Sequence, residues 1–185
     1  MNMDKGVKLY IVRHGQTREN LRRILQGHLP GELTELGLEQ AHAVAERLEA
    51  MGTGATRIVS SDLKRTMDTA AIIARRVNLP VTPMRLLRER DWGECTGMPI
   101  DEARFHYYQD GKWKFPASAE SEEELYTRAG KVLETLQRDY PGETLIVVTH
   151  GQLARNVIAA HFRCPVHEVT TLVNGEVRLL TIKPS

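Results

Sequence analysis

The sequence predicts an α/β fold with helices covering a central sheet, and three observations carry that prediction. Short apolar, β-branched runs alternate along the chain with stretches of helical period. Two of those runs, residues 8–12 (KLYIV) and 144–149 (TLIVVT), look like strands buried on both faces, and each ends abruptly in His-Gly or Arg-His-Gly. A chain of 185 residues, 41% hydrophobic and 26% charged, is the size that buries one core, so one domain over 1–185 is expected.

Taken in order, residues 8–12 form the first strand, whose carboxyl end feeds a loop at Arg13-His14-Gly15. Thr34, three residues before Gly37, caps an amphipathic helix over 39–51, with Ala41, Val44, Ala45 and Leu48 on its apolar stripe and Gly52 closing it. Residues 57–59 make a second strand. Ser61 or Asp62 is placed to cap a helix that runs to about Val77, where Asn78 and Pro80 terminate it, and 81–86 is a third strand. Ser121 with Glu124 three positions on is a capping box for a helix over 122–140, stopped by Pro141-Gly142. Strand 144–149 is the most strand-like segment in the chain. A helix over 152–162 and a strand over 176–182, alternating at Val177 and Leu179, complete the series. The least regular stretch, 92–120, holds Trp92, Phe105, Tyr107, Tyr108, Trp113 and Phe115 and reads as a small cap inserted over the site.

Bulk properties exclude several classes of function. A formal net charge of +1 gives no general attraction to nucleic acid or anionic lipid, so any strong positive potential must be local. Residues 1–7 carry Asp4 and Lys5 and no apolar core of signal-peptide length, and no later run approaches the ~20 apolar residues of a spanning helix. A cytoplasmic protein with no membrane partner is expected. Cys95 and Cys164 lack CxxC spacing and a secretory context, and are read as free thiols. Oligomeric state is not legible in the sequence.

Two strands that each end in His-Gly would bring His14 and His150 to the same edge of one parallel sheet, the edge where α/β proteins keep their chemistry. An isolated Arg-His-Gly turns up in on the order of one chain in a hundred of this length. Its position at a strand end and its echo at His150 lift it above that background.

Residues 9–20 (LYIVRHGQTREN) resemble the signature of the histidine phosphatase superfamily, the phosphoglycerate mutase-like proteins. Residues 33–41 (LTELGLEQA), 60–70 (SSDLKRTMDTA), 86–94 (LLRERDWGE) and 147–155 (VVTHGQLAR) resemble the family's other blocks, in the family's order. The resemblance implies a three-layer α/β/α sandwich around a mostly parallel central sheet. It implies a phosphoric monoester hydrolase, needing no metal and no cofactor, that holds the phosphoryl group of a small phosphorylated metabolite on His14. It further implies that His150 contacts that group, that Asn20 and Gln26 supply polar contacts, and that Gly27, Gly151 and Gln152 line the substrate. The family's proton donor falls after the third strand, where this chain offers Glu89, Asp91 and Glu94; Glu89 matches the Leu-x-Glu block, with Leu87 two residues earlier. Many members continue with Gly-Glu-Trp-Glu-Gly, whereas this chain reads Gly93-Glu94-Cys95-Thr96-Gly97, a departure that bears on the wall facing the substrate.

The chemistry asks for such a set. An imidazole attacks phosphorus only when unprotonated, while the phosphate is dianionic. Arg13 and Arg65 can serve both ends, binding phosphate oxygens bidentately and disfavouring the cationic form of His14. Glu89 must be protonated when substrate binds if it is to act as the acid.

Blander readings stand beside this one. A lone arginine is more often a solvated surface charge. His14, His150 and Glu89 could hold zinc, but the two arginines repel a divalent cation and attract phosphate. The cluster at 105–115 (FHYYQDGKWKF) could stack nucleic acid, yet packing as a cap, with Tyr108, Lys112 or Trp113 selecting the organic part of the substrate, is the favoured reading. His28, His42, His106, His161 and His167 are read as surface or packing residues, with His28 near enough to the Gln26-Gly27 turn to touch substrate. A phosphomutase is the nearest enzymatic rival, disfavoured by the modest insertion and by the few residues after the last strand. A non-catalytic phosphate-binding module is the rival from another class, and the intact set of five polar residues speaks against it.

Overall fold

The computed structural model describes residues 6–183; Asp4 and Lys5 lie outside the described residues. Strands β1 (Val7–Arg13), β2 (Arg57–Ser60), β3 (Val81–Pro83), β6 (Thr144–Thr149) and β7 (Val177–Ile182) form one sheet in the order β3-β2-β6-β1-β7. Every pairing is parallel except that of β7, which runs antiparallel to β1 at the edge. The sheet is therefore mixed and mostly parallel, as expected.

Alternation along β1 explains the layers. Val7, Leu9 and Ile11 point to one face, where with Leu145 and Val147 they meet Leu125, Val132 and Leu136 of α5 (Glu122–Asp139) and Leu153 and Val157 of α6 (Gly151–Phe162). Tyr10 and Val12 point to the other face and, with Ile146 and Val148, meet Val44 and Leu48 of α2 (Glu35–Ala50) and Ile73 of α3 (Lys64–Val77). Strands buried on both sides need apolar residues at every position, which is why these runs read as continuous.

The caps decide where helices begin. Thr34 accepts the N–H of Gly37, so α2 starts four residues earlier than its apolar period suggested. Ser121 and Glu124 form the expected capping box, and Asn78, left-handed at φ 51°, ends α3. The expectation for the start of α3 needs correction: the N-cap position is Leu63, with no side-chain cap. Ser61 and Asp62 are used elsewhere, Ser61 against His150 and Asp62 against Arg88. Strand β3 stops at Pro83 rather than 86, because residues Arg85–Leu87 turn into a 3-10 helix.

Two pieces were not anticipated. A four-residue helix, α1 (Arg18–Leu21), follows the first loop and is boxed by Thr17 and Asn20. The 92–120 stretch holds more regular structure than expected: a 3-10 turn (Gly93–Cys95), α4 (Ile100–Tyr107) and a hairpin of β4 (Tyr108–Gln109) and β5 (Lys112–Trp113) around Asp110-Gly111. Trp92, Cys95 and Ala103 of this stretch form a small separate core with Leu25, from the chain that follows α1. Among the described residues, no helix is long and apolar enough to cross a membrane.

Candidate active site

β1 and β6 are parallel neighbours with Arg13 opposite Thr149, so the chain leaves both strands at the same height. His14 donates its backbone N–H to Thr149 O at 3.0 Å, and the two imidazoles meet edge to face with centroids 5.2 Å apart. The loop between β1 and α1 is pressed onto the start of α2 through two glycines. A Cβ on Gly15 would lie 2.2 Å from the carbonyl oxygen of Gly37, and one on Gly37 would lie 2.1 Å from that of Gln16.

His14 is 2% exposed. Its Nδ1 lies 2.7 Å from Gly15 O, an acceptor only, so Nδ1 carries the proton and Nε2 presents a lone pair. Arg65 Nε–H faces that lone pair at 3.3 Å. Burial, then the charge of Arg65, hold the His14 imidazole well below its ordinary basicity, and Arg13 adds in the same direction. His150, fully buried, is lowered by burial first and then by Arg65, His14 and Arg13. Its Nε2 lies 2.9 Å from Ser61 Oγ.

Arg65 projects from the first turn of α3 and is 1% exposed. Its Nη2 donates to Gly27 O at 2.9 Å and its Nη1 to Leu29 O, which ties the 26–29 turn to the floor of the site. Burial lowers its pKa to about 10, leaving it a cation at neutral pH. Arg13 donates to Leu172 O at 2.6 Å through Nη1. The chain passes flat across its guanidinium at Gly151, where a Cβ would lie 3.1 Å from Arg13 Cζ. Burial lowers the Arg13 pKa, and the negative charge of Glu89 opposes that effect.

Two buried polar atoms, Arg13 Nε and His150 Nδ1, have no hydrogen-bond partner among the described residues. A buried polar atom without a partner costs roughly 1–3 kcal/mol; Arg13 Nε can only donate and His150 Nδ1 donates in one of its tautomers, so the place between two cations and two imidazoles suits an acceptor-rich anion. Among the described residues no group of three or more His, Cys, Asp or Glu side chains gathers as a metal site.

Glu89 comes from the irregular segment after β3. Its Oε1 accepts the N–H groups of Arg90 at 2.9 Å and Leu153 at 3.2 Å, and its Oε2 that of Gln152 at 3.3 Å, which brings the carboxylate to the first turn of α6 beside His150. Asn20 and Gln26 converge on Thr17, whose hydroxyl lies 3.1 Å from Asn20 Oδ1 and 3.0 Å from Gln26 Oε1. The structure thus gathers His14, Arg13, Arg65, His150, Gly151, Gly27 and Glu89 tightly, and Asn20, Gln26 and Gln152 around them.

Four neighbours were missed. Ser61 touches His150, Thr69 accepts the Gly15 N–H at 3.2 Å, Asn174 donates to the His14 carbonyl at 2.9 Å, and Arg128 holds the Glu89 segment. Ser61 and Thr69 lie inside the 60–70 block and were within reach of a closer reading. Asn174 sits in an irregular stretch with no signal. His28 reaches the Glu89 carbonyl at 3.0 Å. A cavity of about 220 Å³ beside Gln152 is lined by Leu25, Trp92, Ile100, Trp113 and Phe115, with Arg90 and Arg155 at its walls; Tyr108 and Lys112 are not in its lining.

The family model of the histidine phosphatase superfamily (branch 1) matches residues 9–185. The chain is similar to phosphoglycerate mutase-like protein 4 of Arabidopsis thaliana, 36% identical over 159 residues that cover 81% of this chain and 69% of that one. It is 32% identical over 158 residues to a broad-specificity phosphatase of Saccharomyces cerevisiae, covering 82% of this chain and 69% of the relative. The structure of a mycobacterial glucosyl-3-phosphoglycerate phosphatase superposes with a TM-score of 0.80 at 30% identity, covering 96% of this chain and 91% of that one.

Proposed function

This chain belongs to the histidine phosphatase superfamily, and from that premise we propose that it hydrolyses the phosphoric monoester of a small phosphorylated metabolite through a phosphohistidine at His14, without a metal. The observation that carries the reading is the state of His14: buried between two guanidiniums, with Nδ1 committed to a carbonyl and Nε2 carrying a lone pair.

In this reading the incoming phosphoryl oxygens take over the Arg65 Nε–H that faces His14 and the unused Nε–H of Arg13, and His150 meets them in the tautomer that puts its proton on Nδ1 while Ser61 donates to Nε2. Those donors hold the charge that spreads over the equatorial oxygens during transfer. His14 Nε2 attacks in line, the N–P bond forms as the P–O bond to the organic group breaks, and the leaving oxygen takes a proton from the Glu89 carboxyl. Water then attacks the phosphohistidine, Glu89 takes back a proton, and inorganic phosphate leaves. Glu89 stands beside the cavity at Gln152, so the organic group extends toward Trp92, Trp113 and Phe115, which gives residues 92–120 the role of a cap on a single-domain chain.

The decisive test is His14→Ala. Turnover should fall by at least about 10⁴-fold, and acid-labile labelling by a phosphorylated substrate should disappear. Label that persists in the variant would remove His14 as the nucleophile.

A further inference from the structure

Arg128, on α5, spends all five of its N–H groups, two on the carboxylate of Glu120 and three on the carbonyls of residues 86–89. Nε and Nη2 donate to the two carboxylate oxygens of Glu120, each at 2.7 Å. Nη1 donates to the carbonyls of Leu86 at 2.9 Å and Arg88 at 2.7 Å, and Nη2 reaches that of Glu89 at 3.2 Å. Glu120 closes the other side of the same stretch: its Oε2 accepts the Asp91 N–H, its own N–H donates to Asp91 O at 2.8 Å, and its carbonyl accepts Arg90 Nε–H at 2.8 Å. Both side chains are largely buried, 18% and 14% exposed.

A buried ion pair is weak evidence for stability, because desolvation offsets the attraction. What this pair does supply is order. Residues 88–91 belong to no strand or helix, so their carbonyls have no ladder to join, and a planar guanidinium with five satisfied donors fixes several at once. Glu89 sits in the middle of the strapped segment, with its side chain on the far side against the start of α6.

We propose that Arg128, held by Glu120, is a positioning residue that fixes the Glu89 carboxyl at the height of the leaving oxygen. The proposal rests on the reading of Glu89 as proton donor. Proton transfer needs the donor within hydrogen-bond reach of the departing atom, and a site loosened by about 1 Å loses it. Arg128 lies outside every motif that the sequence offers, and its effect on the reaction passes through the backbone of 86–89.

Leaving-group chemistry separates positioning from general damage. An alkoxide needs the donor; a nitrophenolate departs unaided. The four proteins to compare are wild type, Glu89→Gln, Arg128→Met and the double variant, each assayed with glycerol 2-phosphate and with 4-nitrophenyl phosphate. Glu89→Gln should lose about 10²-fold in kcat on the alkyl ester and only a few-fold on the aryl ester. Arg128→Met should show the same selectivity, about tenfold or more against no more than about threefold, and should add nothing to Glu89→Gln in the double variant. Equal losses of Arg128→Met on both esters, or losses that multiply with those of Glu89→Gln, overturn the proposal. If Glu89→Gln itself treats both esters alike, the donor reading fails first and the proposal goes with it, so the two failures are told apart by that single variant. Should Arg128→Met not fold, Arg128→Lys keeps the charge and offers at most three donors; it should fall between wild type and Glu89→Gln in selectivity.

Discussion

Beneath His14, nearly every polar group leans on backbone or on a buried neighbour: Nδ1 on Gly15, Arg65 on Gly27 and Leu29, Arg13 on Leu172. Over residues 100–115 the chain turns outward instead. Phe105 is 83% exposed, Tyr108 and Trp113 are over a third exposed, and the ordering contacts are ring against ring, such as Trp113 stacked on Phe115 at 4.9 Å. The difference follows from what each region must do. A floor that keeps two imidazoles neutral beside two guanidiniums has to exclude water and fix geometry at once, and only backbone and buried side chains do both. In the proposed reading the outer segment is a wall that meets a variable organic group, and such a wall needs area and shape more than fixed polar contacts.

That contrast breaks most visibly at Gly15. A methyl there enters the Gly37 carbonyl, backbone against backbone, so Gly15→Ala should cost more than about 3 kcal/mol or prevent folding, read as the urea midpoint. A variant of near-normal stability would mean that the floor is pliable.

Next in size is a pH effect. His14 and His150 bind protons more weakly in the folded protein than in the unfolded chain, mainly through burial and then Arg65. As pH falls through about 6.5 the unfolded chain takes up protons that the folded one refuses, so stability is fully present above that value and is lost on the acid side. The slope is at most about 1.4 kcal/mol per pH unit for each histidine. Tm should therefore fall between pH 7.5 and 5.5, and the His14→Ala, His150→Ala double variant should fall less steeply. An equal slope in both proteins would show that the imidazoles charge freely inside the site.

Smaller still is Trp113→Ala, expected to cost about 1 kcal/mol or less in unfolding while shifting KM for bulky phosphomonoesters. A large loss of kcat for small esters would make the 92–120 segment part of the floor. The smallest expected effect is that of a metal chelator: prolonged treatment should leave the rate unchanged, and activity lost and then regained with zinc or magnesium would point to an ion between His14 and His150.

How much of this was legible depended on whether the signal was local. Continuous apolar runs fixed β1 and β6, and the capping chemistry of Thr34, Ser121 and Asn78 set helix ends, because those features act within a turn or two of chain. Ser61 carries the same cap signal, but its hydroxyl accepts only the nearby Leu63 N–H, at 3.4 Å, and meets His150, a partner 89 positions away, at 2.9 Å, so the helix starts beyond it without a side-chain cap. The hairpin at Asp110-Gly111 had its turn dipeptide in plain view, with strands of only two residues to announce it. In the site, the strand-end histidines and Arg65 followed from their blocks, whereas Arg128 did not, since nothing in an amphipathic helix marks which of its charges will hold a distant loop.

Among the described residues, strand β1 has its hydrogen-bonding neighbours in β6 and β7 alone. During synthesis, residues 7–13 leave the ribosome long before residues 144–149 and 177–182 exist, so this early strand has both edges open until they follow. Until they arrive this segment, VKLYIVR, presents two unpaired apolar strand edges, the feature that favours aggregation. His14 gains its backbone partner at Thr149 only once β6 has joined, so the loop that holds the imidazole is ordered by chain that follows it by more than a hundred residues.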